Sequence, residues 1–205
     1  MKRFIISISA AFLALSAAAQ NADTTSTVVG NKLDFSQPRI LVSNYFDALK
    51  ADFSPEAREQ WRPEFTLRGN AMLLDGSVNL TAGIRTSARR VFGVGAGWGQ
   101  HFLFRDGPGS YAAQRMNFYL YHRHYFPLGR KQRFSFYSDL MGGGMWIYQV
   151  PDSYLNDESA TVRPGDWRWW LSWQPGIAVR TWGRSNVFLG LSIGPTIGIH
   201  GGITL

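Results

Sequence analysis

Residues 115–126, RMNFYLYHRHYF, alternate between apolar and polar side chains and indicate the structural class of the chain. Met116 and Phe118 fall on one face of an extended strand, while Arg115 and Asn117 fall on the other. A helix would place apolar residues three or four positions apart, and this segment lacks that spacing. The segment therefore predicts a β-strand with one apolar and one polar face.

The same period of two recurs through the rest of the chain beyond residue 62. It predicts strands over residues 65–73, 78–85, 92–102, 115–126, 134–148, 167–180, 187–193 and 197–205. Short turns are predicted at 74–77, 127–130 and 183–184, and longer connections at 105–114 and 150–165. An even number of antiparallel strands can pair the first with the last, which removes both sheet edges. We therefore predict an all-β fold, an eight-stranded antiparallel barrel over residues 62–205.

The polar face distinguishes a membrane barrel from a soluble one. A soluble sandwich would carry Lys, Glu and Thr there, whereas this face carries tyrosines and a row of glycines in residues 93–99. We expect these glycines to leave room for Tyr119 and Tyr121 on the next strand. Aromatic residues that would form two girdles at the membrane interfaces are Phe102, Phe104, Phe126, Phe134, Trp146, Tyr148, Trp167 and Trp169. A transmembrane β-barrel is favoured, and a lipocalin-like barrel or a sandwich is the alternative.

The N-terminal residues are typical of a cleavable signal peptide. Lys2 and Arg3 precede the apolar stretch 4–15, and three alanines at 17–19 offer a cleavage site. The stretch is too short to span a bilayer core of roughly 30 Å as a helix. We predict a signal peptide over residues 1–19 and an outer-membrane location for the mature chain.

Residues 20–61 are predicted to form a periplasmic extension that is partly flexible. They are polar and small at first, and then mixed in character. Ser54, Pro55 and Glu56 read as an N-cap followed by the first turn of a helix, so one or two short helical turns are expected.

Composition excludes several classes of protein. The chain has 205 residues and no cysteine, so disulfide scaffolds and thiolate metal sites are excluded. The formal charge is +7, but no basic helix, zinc-ligand spacing or RNA-binding aromatic motif accompanies it. We predict no nucleic-acid partner and no cofactor.

The polar face predicts a network that fills the lumen. Its members are Glu64, Arg68, Arg85, Arg123, Tyr137, Asp139, Arg168 and Arg180, and Arg115 is a further arginine on the same face. If Phe126 lies opposite Phe134, Arg123 faces Tyr137 and lies diagonal to Asp139. By the same counting Glu64 lies diagonal to Arg85. An eight-stranded barrel has room for little beyond its own side chains. The alternative is a narrow, weakly anion-preferring pore produced by the arginine excess.

A lipid hydrolase is the less favoured alternative function. In the register assumed above, His122 and Ser138 point outward as cross-strand neighbours, as a nucleophile and its base would. An acid that would orient the histidine is missing from that face, since Asp139 points inward. His122 and His124 lie two apart on one face but lack a third metal ligand. We therefore predict no catalytic residue, no metal site and no enzymatic activity.

Four short runs resemble a known family. Residues 121–129 (YHRHYFPLG), 134–136 (FSF) and 142–144 (GGG) resemble a hairpin of small bacterial outer-membrane β-barrel proteins of the OmpA/OmpX type. Residues 190–199 (GLSIGPTIGI) are similar to the last hairpin of that family.

The resemblance covers residues 62–205 and implies an outer-membrane location without implying one activity. It implies contact with outer-membrane lipids and lipopolysaccharide and with the barrel-insertion machinery. The sequence departs from the family at Leu205, where such barrels usually have an aromatic residue. We expect an integral barrel that serves as a structural or interaction platform.

The connection 150–165 is the candidate surface for an extracellular partner. It is the longest connection in the predicted barrel, and long loops face outward in this architecture. Asp152, Asp157 and Glu158 against Arg163 make it acidic on a basic chain. We predict a solvated loop without a hydrophobic period of its own.

Overall fold

The computed structural model describes residues 38–104, 110–128, 133–156, 160–181 and 185–205. The predicted signal peptide, residues 20–37 of the predicted extension and the turn predicted at 183–184 lie outside these residues. The chain divides into two units, one ending at Trp61 and the other beginning at Arg62. No helix among the described residues is long and apolar enough to cross a membrane.

The first unit contains two helices, α1 (Pro38–Asp52) and α2 (Pro55–Arg58). Ser54 caps α2 by accepting a hydrogen bond from the backbone of Ala57 at 3.2 Å. The backbone N–H of Glu56 and the Ser54 hydroxyl lower the pKa of Glu56 below its ordinary value. The expectation of only short helical turns was wrong, because α1 runs for 15 residues without an internal glycine or proline.

The second unit is a closed antiparallel barrel in which each strand pairs with its sequence neighbours. Pairing of the first strand with the last, Thr66 opposite Thr204, closes the ring. The strands are β1 (Arg62–Met72), β2 (Asp75–Arg85), β3 (Arg90–Phe104), β4 (Ser110–Leu128), β5 (Phe134–Gln149), β6 (Trp167–Arg180), β7 (Asn186–Ile193) and β8 (Ile197–Thr204). The predicted all-β, eight-stranded barrel is confirmed.

Three connections differ from their prediction. The first turn consists of Leu73 and Leu74, because Asp75 already pairs with Met72. The strand β4 begins at Ser110, so the loop predicted at 105–114 is shorter. The strand also continues to Leu128, beyond the residues that pair with β3, where a proline at position 127 is tolerated.

The wall of the barrel has unequal height. The strands β3 to β6 have 14 to 19 residues, whereas β7 and β8 have eight each. The end with the β1–β2, β3–β4, β5–β6 and β7–β8 connections is called the loop end here, and the other the terminal end. At the loop end the taller wall provides an apolar surface above the shorter strands.

The connection between β5 and β6 packs onto this taller wall, so the prediction of a solvated loop was wrong. It contains a third helix, α3 (Asp152–Leu155). The Tyr154 hydroxyl accepts a hydrogen bond from the backbone of Thr161 at 3.1 Å and ties the two sides of the connection together. The buried residues of this cluster are Leu103, Ala113, Ile147, Val150, Tyr154 and Val162.

Apolar side chains point outward and polar side chains point inward. Leu80 is 60% exposed and Leu120 is 68% exposed, whereas Arg68 and Asp139 are fully buried. This distribution is the inverse of a soluble protein, in which charged residues are almost never fully buried. The lumen is therefore where the polar chemistry of the barrel is concentrated.

Candidate functional site in the barrel lumen

Asp139 stands at the centre of the lumen between two arginines. Arg123 donates to it twice, from Nε to Oδ1 at 2.7 Å and from Nη2 to Oδ2 at 2.9 Å. Arg68 on β1 forms an ion pair with the same carboxylate from across the barrel. All three side chains are at most 1% exposed, so the pairs are shielded from solvent. These ion pairs neutralise charges that would strongly destabilise the barrel if each were buried without a partner.

The pairing of β4 with β5 differs from the assumed register by two residues. Leu128 lies opposite Phe134, and Phe126 lies opposite Phe136 instead of Phe134. Arg123 consequently faces Asp139 directly, and the expectation that it faces Tyr137 was wrong. The reason is that β4 continues for two residues into the predicted turn, to Leu128, so the pairing of the two strands is shifted by two residues.

Glu64 organises the lumen nearer the terminal end. It accepts from Arg85 Nε at 3.0 Å and from Arg85 Nη2 at 2.5 Å, across the β1–β2 pair. Arg123 Nη1 lies 3.5 Å from Glu64 Oε1 and also donates to the Thr204 hydroxyl at 3.0 Å. The Tyr125 ring packs 4.7 Å below the Arg85 guanidinium. These contacts join the central pair to the terminal end in one network.

Three further residues, Met141, Gln174 and His200, belong to the network, although the sequence did not predict them. Gln174 accepts from Arg68 Nη1 at 2.5 Å, and the thioether of Met141 lies 2.9 Å from the same nitrogen. Tyr137 contacts His200 Nε2 at 2.5 Å. Neutral side chains have no charge pattern from which these contacts could be predicted. The contacts depend on the register of the strands, which is known only from the structure.

The glycines on the inner face make room for tyrosines, as the sequence predicted for β3. A Cβ at Gly95 would collide with the Tyr119 ring, and one at Gly93 would lie 2.6 Å from Tyr121. Gly176 has the same relation to Tyr137. The tyrosines can therefore cross the lumen and occupy its cross-section.

A second cluster of charges lies towards the loop end. Arg115 forms an ion pair with Asp75 and a hydrogen bond with Asn117. His101 Nδ1 lies 3.5 Å from the other oxygen of Asp75. Sequence reasoning missed this acid because it assigned Asp75 to a turn, whereas the side chain is buried in the lumen.

The remaining residues predicted for the network lie apart from it. Arg168 and Arg180 are on β6, and within the described residues their guanidinium groups make no hydrogen bond or ion pair. Arg168 is partly exposed, and Arg180 is exposed at the terminal end.

The aromatic residues predicted for the interfaces occupy both ends of the outer face. Trp146 and Trp167 stack with ring centroids 6.4 Å apart, and Tyr148 accepts a hydrogen bond from Trp98 at 2.7 Å. Phe126 lies against Phe136 towards the terminal end. Exposed aromatic side chains at these two levels are Phe102, Phe134, Trp167 and Trp169. The side chain of Phe104 lies outside the described part of the structure.

The outer-face serine and histidines are arranged differently from their prediction. Ser138 lies opposite His124, and His122 lies opposite Leu140, so the expected neighbourhood of His122 and Ser138 was wrong. The Ser138 hydroxyl accepts from Trp173 Nε1 at 2.7 Å, and neither ring nitrogen of His124 makes a hydrogen bond with any residue that the structure describes.

Within the described residues, no three His, Cys, Asp or Glu side chains converge as a metal site. The comparisons with known proteins add no assignment to this geometry. Neither a protein-family model nor a curated protein matches the chain.

Proposed function

We propose that the protein is an integral outer-membrane β-barrel whose lumen is closed by its own side chains, and that it acts as a structural or interaction platform. The observation that carries the proposal is the outer face of the closed barrel. Large apolar residues are exposed on all eight strands, among them Leu67, Val78, Val94, Leu120, Phe134, Ile177, Leu189 and Ile199.

Water would oppose such a surface, because contiguous exposed apolar patches on soluble monomers seldom exceed a few hundred Å². A lipid bilayer would favour it, and closure of the sheet satisfies the backbone hydrogen bonds that lipid cannot. Aromatic residues at the loop end, such as the stacked Trp146 and Trp167, have the amphipathic character suited to a headgroup region.

The network in the lumen supports a closed barrel over the conducting alternative. Arg68 and Arg123 meet on Asp139 at mid-height, and Tyr137 is fully buried beside them. Each of these groups would have to give up its partners for an ion to pass. Desolvated charge pairs of this kind resist separation by several kcal/mol.

The platform role rests on the loop end. The β5–β6 connection with α3 is held by the cluster around Tyr154, so its exposed residues are presented on a fixed surface. Asp152 on this surface is exposed. A prearranged surface reduces the ordering cost of binding an extracellular partner.

Cell fractionation tests the proposal. We expect the chain expressed in a Gram-negative bacterium to sediment with the outer membrane, to resist extraction with urea, and to migrate differently in gels before and after boiling. Recovery of the folded chain in the soluble periplasmic fraction, without detergent, would overturn the proposal.

A further inference from the structure

The strand β6 has a free side at the loop end. On one side it pairs with β5 along residues 167–179, whereas its pairing with β7 begins only at Trp173, opposite Ile193. The chain turns back into β8 at that level, because Ile193 already lies opposite Ile197. Among the residues that the structure describes, no backbone group pairs with this side of residues 167–171. This segment, called the β6 edge here, is about 17 Å long as an extended chain.

Three residues of the β6 edge direct their backbone N–H and C=O groups away from β5. Along a strand these groups alternate between the two neighbouring strands. The groups of Arg180 point to β5, because its N–H donates to the Arg133 carbonyl at 2.9 Å. Every second residue along β6 does the same, so the groups of Trp167, Trp169 and Leu171 point to the open side.

Such a row of open backbone groups is a template for an added strand. An extended peptide can pair with it through main-chain hydrogen bonds, while alternate side chains provide the specificity. The β7–β8 turn comes close only at the lower end of the β6 edge, where a Cβ at Gly194 would lie 3.1 Å from the Leu171 carbonyl oxygen. The upper part is open, and Trp169 there is 87% exposed.

The side chains of the β6 edge define the sequence that would pair with it. Trp167 and Trp169 point outward, whereas Arg168 between them points to the inner face. The Arg168 guanidinium makes no hydrogen bond or ion pair with any described residue. Residues directly opposite each other in a sheet share a face, and opposite charges there stabilise the pair. The best match is a carboxylate opposite Arg168 with an apolar residue on each side of it.

A second copy of the chain matches the β6 edge less well. Pairing of two β6 edges would add a second Arg168 to the same face of the sheet, and residues 167–171 include no acid to compensate it. Like charges on one face of a strand pair are destabilising. A peptide that supplies the carboxylate has the complementary charge.

We propose that the β6 edge binds an extended peptide segment of a surface partner, added as an antiparallel strand, in which an acidic residue lies between two apolar residues. This inference names the class of partner for the platform role proposed above and rests on that role. Cell fractionation tests membrane location without involving the β6 edge. Failure of peptide binding would therefore reject this site alone.

The pentapeptide Thr-Val-Glu-Val-Thr, acetylated and amidated at its ends, is the probe for the full-length chain refolded in lipid nanodiscs. Amide hydrogen exchange followed by NMR reports on each backbone N–H. We expect the peptide to slow exchange at Trp167, Trp169 and Leu171 saturably and at least about tenfold. The absence of added protection would overturn the proposal. Protection that grows with the concentration of the chain alone would also overturn it, because a second copy would then be the occupant.

Two changes at Trp169 test whether the peptide pairs through the backbone. Trp169→Pro removes an N–H on the open side, and Pro175 shows that β6 accommodates a proline at a position with the same orientation. Trp169→Val keeps the N–H and is the matched control. We expect at least about tenfold weaker binding to the proline variant and a change of about threefold or less with valine. Equal binding to the two variants would contradict strand addition.

A modified peptide tests the same point without altering the protein. Methylation of both valine nitrogens removes the N–H groups that face the β6 edge in antiparallel pairing, and leaves the side chains unchanged. We expect this peptide to give no protection of the three edge amides. Protection equal to that by the unmodified peptide would show that side chains alone hold it, and would overturn the proposal.

The charge requirement is tested by replacing the glutamate of the peptide with glutamine. We expect the neutral peptide to bind the wild-type chain about threefold more weakly, and Arg168→Gln to abolish this difference. Arg180→Gln is the matched control, because Arg180 lies on the same strand at the terminal end and should leave the difference unchanged. Equal binding of the two peptides to the wild type would overturn the proposed selectivity for an acidic residue.

Discussion

Arg123 on β4 and Asp139 on β5 lie directly opposite each other and share two hydrogen bonds, at 2.7 and 2.9 Å. The planar guanidinium matches the carboxylate, and this fork geometry makes such pairs strong and specific in orientation. Arg68 reaches the same carboxylate from β1, so one acid joins opposite walls of the barrel. The stability of the barrel should therefore depend strongly on Asp139.

Asp139→Asn should destabilise the barrel by about 3–5 kcal/mol, because it removes the counter-charge that two buried guanidinium groups share, and only Arg123 keeps a second, longer ion pair, with Glu64. Asp152→Asn on α3 is the control, since that carboxylate is exposed and should change stability by no more than about 0.5 kcal/mol. Unfolding by guanidinium in lipid vesicles measures both free energies. Similar costs for the two variants would show that the network does not hold the barrel together.

Arginine substitutions on the outer face distinguish a lipid environment from water. Leu120 is 68% exposed on β4 and Leu73 is 82% exposed in the first turn. In lipid, Leu120→Arg should cost about 2–4 kcal/mol, and Leu73→Arg at the interface about 0–1 kcal/mol. In water, both exposed changes should stay within about 0.5 kcal/mol. Equal, small costs in vesicles would contradict the membrane proposal.

The strands could be predicted from the sequence, but their register could not. The alternation of apolar and polar residues indicates which side chains face the lumen, so every strand could be identified from it. A shift of one residue would reverse the faces, whereas a shift of two leaves them unchanged. The position of Arg123 opposite Asp139 depends on where β4 ends, and local sequence does not define that point.

The turn predicted from the sequence at Asp75 was wrong. The Asp75–Gly76 pair is a strong local turn pattern, yet both residues are in β2 and the turn is Leu73–Leu74. The same error removed the partner of Arg115 from the expected network. The described part of the 150–165 connection likewise owes its conformation to packing against β3, β4 and β5. A local sequence pattern carries no information about such packing.

Tyr154 should control how easily proteases reach the β5–β6 connection. Tyr154→Ala removes a buried ring that packs on Tyr111, with centroids 5.7 Å apart, and should increase the rate of cleavage at least about tenfold. Tyr154→Phe keeps the ring and loses only the hydroxyl, so its effect should be about fivefold or less. Limited proteolysis of intact cells measures both rates. A wild-type connection cleaved as quickly as the Tyr154→Ala variant would show that the cluster does not order it.

Planar-bilayer recordings test closure of the lumen. We expect the refolded wild-type chain to give no conductance steps, because Arg68, Arg123 and Asp139 cross the lumen and each is desolvated. A water-filled porin reconstituted in the same bilayers is the positive control. Steady steps from the wild-type chain that favour anions would support the narrow pore instead.

Lipid composition tests whether the outer-face serine and histidines have a catalytic role. Ser138 is 4% exposed and accepts from Trp173, while Asp139, the neighbouring acid, points into the lumen and is occupied by two arginines. A serine nucleophile needs an adjacent base that is itself oriented by a third group, and among the described residues the ring nitrogens of His124, which lies opposite Ser138, make no hydrogen bond. Expression of the wild type, Ser138→Ala, His122→Ala or His124→Ala should therefore leave the same lipid A and phospholipid acyl chains by mass spectrometry. If expression of the wild type removes an acyl chain, and if Ser138→Ala and one of the two histidine variants each prevent that loss, a hydrolase would be assigned to this face.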